Sequence, residues 1–279
     1  MKISYLLTKI YNVVLPIFLR ILLSAKLIIK SMRITIILPF PVTKPVGGAK
    51  IMYEYANRLH GRGHEVIVLH AIRRPFKKTK TPIWVKQFIY KLRNVSRPSW
   101  FSLHKEIRSI IVPEIKDQYV PDGDIVLCTW WQMAYAISEL SPQKGKPFNL
   151  IQDYEIWKGQ EDLVHESYRL PIYHMVIANY LEEIVLKYSA KKPLYAPIAI
   201  DTEKFYIQTP IQKRKPDSIM MLYSKEVRKG TKCGLEALIK LREEIPTLQV
   251  TLFGVYEKPE LPEWITYYRK PNNLPAMPW

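Results

Sequence analysis

The fold is decided by RITIIL (Arg33–Leu38), followed by GGAKIMYEYANRLHG from Gly47 to Gly61 and by EVIVLH (Glu65–His70). The two short apolar runs are typical of buried strands. Between them, apolar residues recur at the i, i+3, i+4, i+7 spacing of one helix face: Met52, Tyr55, Ala56 and Leu59. Strand, helix and strand in this order predict a βαβ unit, and therefore a parallel sheet in an α/β fold.

The alternation of strands and helices continues along the chain. Further strands are predicted at Ser109–Val112, Asp124–Thr129, Asn149–Gln152 and Met175–Ala178, with helices near Trp131–Leu140 and Tyr180–Tyr188. A second series begins near Asp217 with DSIMMLY, continues with a helix after Gly230 and reaches the strand VTLFG (Val250–Gly254). We therefore expect an arm at residues 1–31, a first Rossmann-like domain at residues 32–208 and a second at residues 209–279.

Composition and charge narrow the class of protein. The 279 residues are 48% hydrophobic, which is sufficient for packed cores. The two cysteines, Cys128 and Cys233, lie far apart in the sequence, so we expect a reducing compartment and no structural zinc. The net charge is +17, but no nucleic-acid motif accompanies it, and we do not expect a nucleic-acid partner.

Much of this charge lies in two stretches. Residues 1–31 hold five Lys or Arg and no acid, and residues 71–120 hold twelve against three acids. On a helical projection, an arc of roughly 160° contains Lys9, Asn12, Pro16, Arg20, Ser24, Lys26 and Lys30. This pattern favours a helix lying on an anionic membrane surface. A signal anchor, or an extension that packs on the protein, is the alternative.

The region from Arg73 to Arg108 mixes cations with aromatic residues such as Trp84, Phe88 and Tyr90. One interpretation is a long insertion that faces either lipid headgroups or a polyanionic acceptor. The other is an ordinary solvated face.

Candidate site residues follow three of the predicted strands. Gly47 and Gly48 open the first helix, where their backbone can approach an anion or a sugar hydroxyl, or can simply permit a tight turn. Trp130 and Trp131 can stack on a sugar ring or pack in the core. Asp153 and Glu155 should lie at the carboxyl end of the sheet, where ligands bind in open α/β folds. Either acid could orient an acceptor hydroxyl or take its proton, or be a solvated loop acid.

In order and spacing, several segments resemble the family-4 glycosyltransferases, a retaining group with the GT-B fold. The segments are RITIILPFP with the glycine pair and its helix, APIAIDTEKF (Ala196–Phe205), MMLYSKEVRKGTKCGLEAL (Met220–Leu238) and VTLFG. The stretch IQDYE (Ile151–Glu155) is similar to transferases of rhamnose-containing surface polysaccharides.

The resemblance implies two Rossmann-like domains, an acceptor held mainly by the first and a nucleotide-sugar donor held mainly by the second. It implies metal-independent transfer with retention, so cations must stabilise the leaving diphosphate. Lys225 and Lys229 stand where the family has its Arg and Lys, and Arg228 could substitute for the first; Gly47 and Gly48 would also serve the donor. Trp130 and Trp131 depart from the family, which often has a His after this strand.

We expect a hexosyltransferase of cell-surface polysaccharide synthesis, bound peripherally to the cytoplasmic face of the membrane and acting on a glycan or lipid-linked acceptor. The second domain is expected to be incomplete, because the chain ends soon after VTLFG. A second chain could complete it. The alternative is a non-catalytic remnant that binds a glycan or a partner at the membrane.

Overall fold

A computed structural model describes residues 30–156, 159–203 and 205–269. The chain divides into two compact units, Met1–Ile198 and Ala199–Trp279, called here the larger and the smaller unit. Residues 1–29 of the predicted membrane arm lie outside the described residues. Within the described part of the chain, no helix is long and apolar enough to cross a membrane.

The larger unit is built on a sheet of seven parallel strands. They are β1 (Arg33–Leu38), β2 (Glu65–Ala71), β3 (Arg108–Val112), β4 (Ile125–Thr129), β5 (Lys146–Ile151), β6 (Tyr173–Val176) and β7 (Leu194–Tyr195). Their spatial order is β3-β2-β1-β4-β5-β6-β7, and each neighbouring pair is parallel. The order reverses between β1 and β4, as in Rossmann-like folds. The predicted α/β class is therefore confirmed.

Among the described residues, five α-helices accompany this sheet: α1 (Gly47–Gly61), α2 (Ile83–Leu92), α3 (Trp131–Ser138), α4 (Glu161–Arg169) and α5 (Asn179–Leu186). Strand β1 carries apolar side chains on both faces. Ile36 packs in the same core as Met52 of α1, and Ile37 packs in the same core as Met133 of α3. A strand covered on both faces has no polar side to alternate with, which explains the continuous apolar run in the sequence.

The part of the smaller unit that the structure describes has three parallel strands, β8 (Ser218–Leu222), β9 (Gln249–Gly254) and β10 (Ile265–Arg269), in the order β10-β9-β8. Its helix α6 (Thr231–Glu244) packs Leu238 against the sheet. At Gly234 an added Cβ would lie 2.4 Å from the Met221 sulfur, so glycine lets α6 approach β8 closely.

The predicted strands are present in the structure, with small shifts at their ends. The largest is in β5, which begins at Lys146 and not at Asn149, because Lys146 and Pro147 interrupt the apolar run on which the prediction rested. Helix α2 was not predicted from the basic and aromatic region that contains it.

Candidate functional site

The carboxyl ends of β1, β4 and β5 meet the first turn of α1. Gln152, just after β5, donates its Nε2 to the Gly48 carbonyl at 3.1 Å and to Thr129 Oγ1 at 3.0 Å. A Cβ at Gly48 would lie 3.4 Å from the same Nε2, whereas a Cβ at Gly47 would meet nothing within 4 Å. Gly48 is thus placed by protein contacts, while Gly47 faces open space where a ligand could approach.

Trp130 links β4 to α3 in an unusual backbone conformation. Its φ is +75°, a value that a bulky residue rarely adopts. Its half-buried ring lies 5.5 Å from the Phe40 ring in an edge-to-face arrangement. Such backbone strain persists only where the surroundings enforce it, and it is common at functional sites.

Trp131, by contrast, is a core residue. It is only 5% exposed, and its ring stacks on Phe76 at 5.5 Å and meets Tyr135 edge-on at 6.0 Å. Packing explains its position, and a role in stacking on a sugar remains a prediction.

The two predicted acids lie beside these tryptophans. Glu155 Oε2 accepts the Trp131 backbone N–H at 3.0 Å and so caps the first turn of α3, where a negative charge is favourable. Asp153 Oδ1 accepts the Tyr154 backbone N–H at 2.9 Å. Asp153, Glu155, Trp130 and Trp131 line one cavity of about 10 Å³. Such a volume holds about one water and is too small for a sugar.

A much larger cavity, of about 560 Å³, lies at the same edge of the sheet. We call it the basic cavity, because its lining contains five cationic residues and no acid: Arg74, Lys77, Lys78, Lys80 and Lys86. The rings of Phe40, Tyr90 and Trp130 complete its wall, together with Pro39, Pro41, Ile72 and Thr79. A cavity of this size accommodates a small ligand, and its charge favours an anion.

Arg74 is the most enclosed cation of the basic cavity. Its guanidinium carbon lies 5.3 Å from the centre of the Phe40 ring, within cation–π range. Burial lowers the pKa of Arg74 from its ordinary value, and the charge of Glu155 partly opposes this shift. Glu155 therefore acts on a cation of the basic cavity, and Trp130 lines both this cavity and the small one beside Glu155.

A second cavity, of about 610 Å³, shares Arg74, Lys77 and Lys78 with the basic cavity but has mixed charge. Its Glu114 pairs with Arg73 at 3.4 Å and with Lys116 at 2.8 Å. The hydrogen bond from Lys116 is the main cause that lowers the pKa of Glu114. This second cavity is therefore a weaker candidate for binding anions.

In the smaller unit, the predicted donor residues lie on the loop between β8 and α6. Lys225, Arg228 and Lys229 are exposed, and Arg228 pairs with Glu226 at 3.5 Å. Thr231 Oγ1 donates to the Ser224 carbonyl at 2.9 Å and accepts the Ser224 N–H at 3.0 Å, which joins the two ends of the loop. The structure therefore holds these three cations on one short loop of the smaller unit, between β8 and α6.

The structure also brings together two histidines and a glutamate that no sequence motif connects. Potential ligand atoms of His60, His104 and Glu106 lie within 4.8 Å of one another. His60 is in the last turn of α1, at the opposite end of that helix from Gly47. The group is thus remote from the glycine pair and the basic cavity, and we assign no metal to it.

Sequence reasoning missed Gln152, Phe40 and Arg74 as members of this region. In the sequence, the cations from Lys77 to Lys86 stand out only as part of a long basic region. The one available signal was the lack of acids between Arg73 and Arg97, which is unusual for a solvated surface.

No protein-family model matches the sequence, and no curated protein matches it significantly. Among solved structures it is similar to an alpha-glucosyltransferase in complex with UDP and a 13-mer DNA containing an HMU base. The identity is 14% and the TM-score 0.43, over 82% of this chain. The chain spans 56% of the length of that neighbour. The chain itself is a mixed α/β protein whose larger unit carries a Rossmann-like parallel sheet.

Proposed function

We infer that the chain is a glycosyltransferase that moves a sugar from a nucleotide-sugar donor to a phosphate-bearing, lipid-linked acceptor in cell-surface polysaccharide synthesis. The observation that carries this proposal is the basic cavity, with five cations, three aromatic rings and no acid in its lining. Cations suit the phosphates of a lipid-linked glycan, and aromatic faces suit its sugar. The resemblance of the sequence motifs to family-4 transferases supports the same reaction class.

The position of the cavity agrees with this function. It lies at the carboxyl edge of a Rossmann-like sheet and is lined by residues that follow β1, β2 and β4. Ligands of open α/β sheets bind at this edge, near the point where the strand order reverses. We propose that Asp153 orients the acceptor hydroxyl, whereas Glu155 positions α3 through its bond to the Trp131 N–H.

The donor is proposed to bind the smaller unit through Lys225, Arg228 and Lys229. A donor contact at Gly47 and Gly48 of the larger unit stays a prediction. Transfer leaves a nucleoside diphosphate, whose negative charge grows as the bond to the sugar breaks. Cations held at that position lower the barrier without a metal, since they interact most strongly with the charge of the transition state. Retention at the anomeric carbon, and a peripheral location on the cytoplasmic face of the membrane through residues 1–31, belong to the same proposal.

Donor binding tests this proposal. Purified protein is incubated with a panel of nucleotide sugars while thermal stabilisation and release of free nucleotide are followed. We expect one nucleotide to stabilise the protein, and Lys225→Gln with Lys229→Gln to remove most of that stabilisation. Lys240→Gln, on the exposed surface of α6, is the matched control and should behave like the wild type. If folded protein showed neither thermal stabilisation nor nucleotide release with any nucleotide sugar of the panel, the proposed transferase activity would be contradicted.

A further inference from the structure

Helix α2 presents large apolar side chains to solvent. Trp84, Phe88 and Leu92 are 72%, 60% and 71% exposed, and they lie four residues apart. That spacing places them in one row along the helix, which we call the outer stripe. No residue of α2 is buried, whereas Ile83, Val85 and Ile89 are half-buried.

The contrast with α1 shows that this arrangement is unusual. Helix α1 buries Ala49, Met52, Tyr53 and Ala56, and its exposed residues include Lys50 and Arg58. Apolar residues thus face the core and polar residues face water, as in an ordinary surface helix. A row of exposed Trp, Phe and Leu is costly in water unless something covers it.

Charge indicates what covers the outer stripe. From Lys77 to Arg93 the sequence has six Lys or Arg and no acid. On the outer face, Lys91 lies between Phe88 and Leu92 in sequence, where its long side chain can extend toward phosphate groups. An apolar stripe with Trp and Phe, with Lys91 beside it and no acid from Lys77 to Arg93, matches the interface of an anionic bilayer.

The opposite face of α2 belongs to the basic cavity. Lys86 and Tyr90 line that cavity, and each is about 200° around the helix from a member of the outer stripe. Because a helix is about 10 Å wide, a membrane against the stripe would lie about that distance from the cavity.

We propose that α2 docks on the anionic membrane surface by inserting Trp84, Phe88 and Leu92 among the lipid headgroups. This contact is separate from the one predicted for residues 1–31. It deepens the proposed function, because it presents the basic cavity to lipid-linked substrate, and it rests on that function only for the identity of the substrate.

Vesicle binding by the full chain tests the proposal, with vesicles of phosphatidylcholine and phosphatidylglycerol that contain no glycan and no donor. Replacing Trp84→Gln and Phe88→Gln together should weaken sedimentation with these vesicles about tenfold or more, since each side chain loses its burial. Phe205→Gln with Tyr206→Gln, both 64% exposed in the smaller unit, is the matched control and should leave binding unchanged.

A site-specific label separates α2 from the arm. Cys128 is buried and Cys233 is exposed, so a Cys233→Ser background leaves a cysteine introduced as Phe88→Cys available for an environment-sensitive fluorophore. Its emission should rise and shift to the blue on vesicles, and a label at Arg58→Cys should not change.

Three results would overturn the proposal. The label at residue 88 could stay in water while the protein sediments with vesicles, or the protein could fail to bind them. Alternatively, the Trp84 and Phe88 replacements could dissociate an oligomer in the absence of lipid, which would make the stripe an interface between copies. None of these measurements requires sugar transfer, so a failure of the proposed function is recognised separately by the donor panel.

Discussion

The two units carry their cations in different surroundings. In the larger unit, Arg74 and Lys86 are partly buried in a cavity with Phe40 and Trp130. In the smaller unit, Lys225 and its neighbours lie on an exposed loop on which Val227 is 96% exposed. The first arrangement is fixed partly by packing around Arg74, whereas Lys225, Arg228 and Lys229 are exposed on their loop. We therefore expect mutations to affect folding mainly in the larger unit and binding in both.

The largest expected effect is on the stability of the larger unit. Trp131→Ala should lower its free energy of unfolding by about 3–5 kcal/mol, because a large buried ring is lost. Val227→Ala, on the open loop of the smaller unit, should stay within about 0.5 kcal/mol of the wild type. Denaturant unfolding followed by circular dichroism measures both. A Trp131→Ala protein as stable as the wild type would show that the ring serves a ligand and not the core.

The next effect is a pH dependence confined to the larger unit, which holds all six histidines. Burial lowers the pKa of His70 to about 4, partly opposed by its contact with the Phe40 carbonyl, and burial lowers the pKa of His174 to about 4 as well. Between pH 4 and 6.5 the unfolded chain therefore binds more protons than the folded one, and stability falls as the pH falls through this window.

For His70 the loss across that window should reach about 3 kcal/mol, since one pKa unit corresponds to about 1.4 kcal/mol. Unfolding measured from pH 7 to pH 4 should show a shallower decline in His70→Gln than in the wild type. Parallel curves for the two proteins would mean that His70 is not buried in its neutral form.

Ligand binding separates the two groups of cations. Lys78→Gln with Lys80→Gln should weaken binding of farnesyl diphosphate, a soluble isoprenoid diphosphate, about tenfold, which corresponds to about 1.4 kcal/mol. Lys225→Gln with Lys229→Gln should leave this affinity unchanged and weaken binding of the nucleoside diphosphate. Calorimetry with each ligand provides the four values. Equal losses for both ligands in both variants would remove the distinction between the two sites.

The smallest effect concerns the backbone at two corresponding turns. Trp130 has a φ of +75° after β4, and Gly230 has a φ of +67° before α6. Trp130→Gly should therefore be about 1 kcal/mol more stable than Trp130→Ala, and Gly230→Ala should cost about 1 kcal/mol. Thermal unfolding of the three variants tests this pair. Identical stabilities for the Gly and Ala variants at residue 130 would show that the turn relaxes without strain.

The sequence predicted the sheets more completely than the site. Buried parallel strands such as RITIIL are recognisable in the sequence as local apolar runs, and β1 has the predicted bounds. Asp153 and Glu155 also lie after a strand, as predicted. The bond from the Trp131 N–H to Glu155 joins residues 24 positions apart, and no local pattern specifies such a contact. Helix α2 was not predicted, so the exposure of Trp84 and Phe88 emerged only from the structure.

The most direct test of the account is transfer itself. Wild-type protein and the Lys78→Gln, Lys80→Gln variant are incubated with a labelled nucleotide sugar from the panel and a polyprenyl-diphosphate-linked saccharide, and label in the lipid fraction is counted. We predict transfer by the wild type, and a rate about tenfold lower in the variant at limiting acceptor, in line with its weaker diphosphate binding. Absence of transfer from every donor, by folded protein that still binds the diphosphate, would contradict the proposed activity.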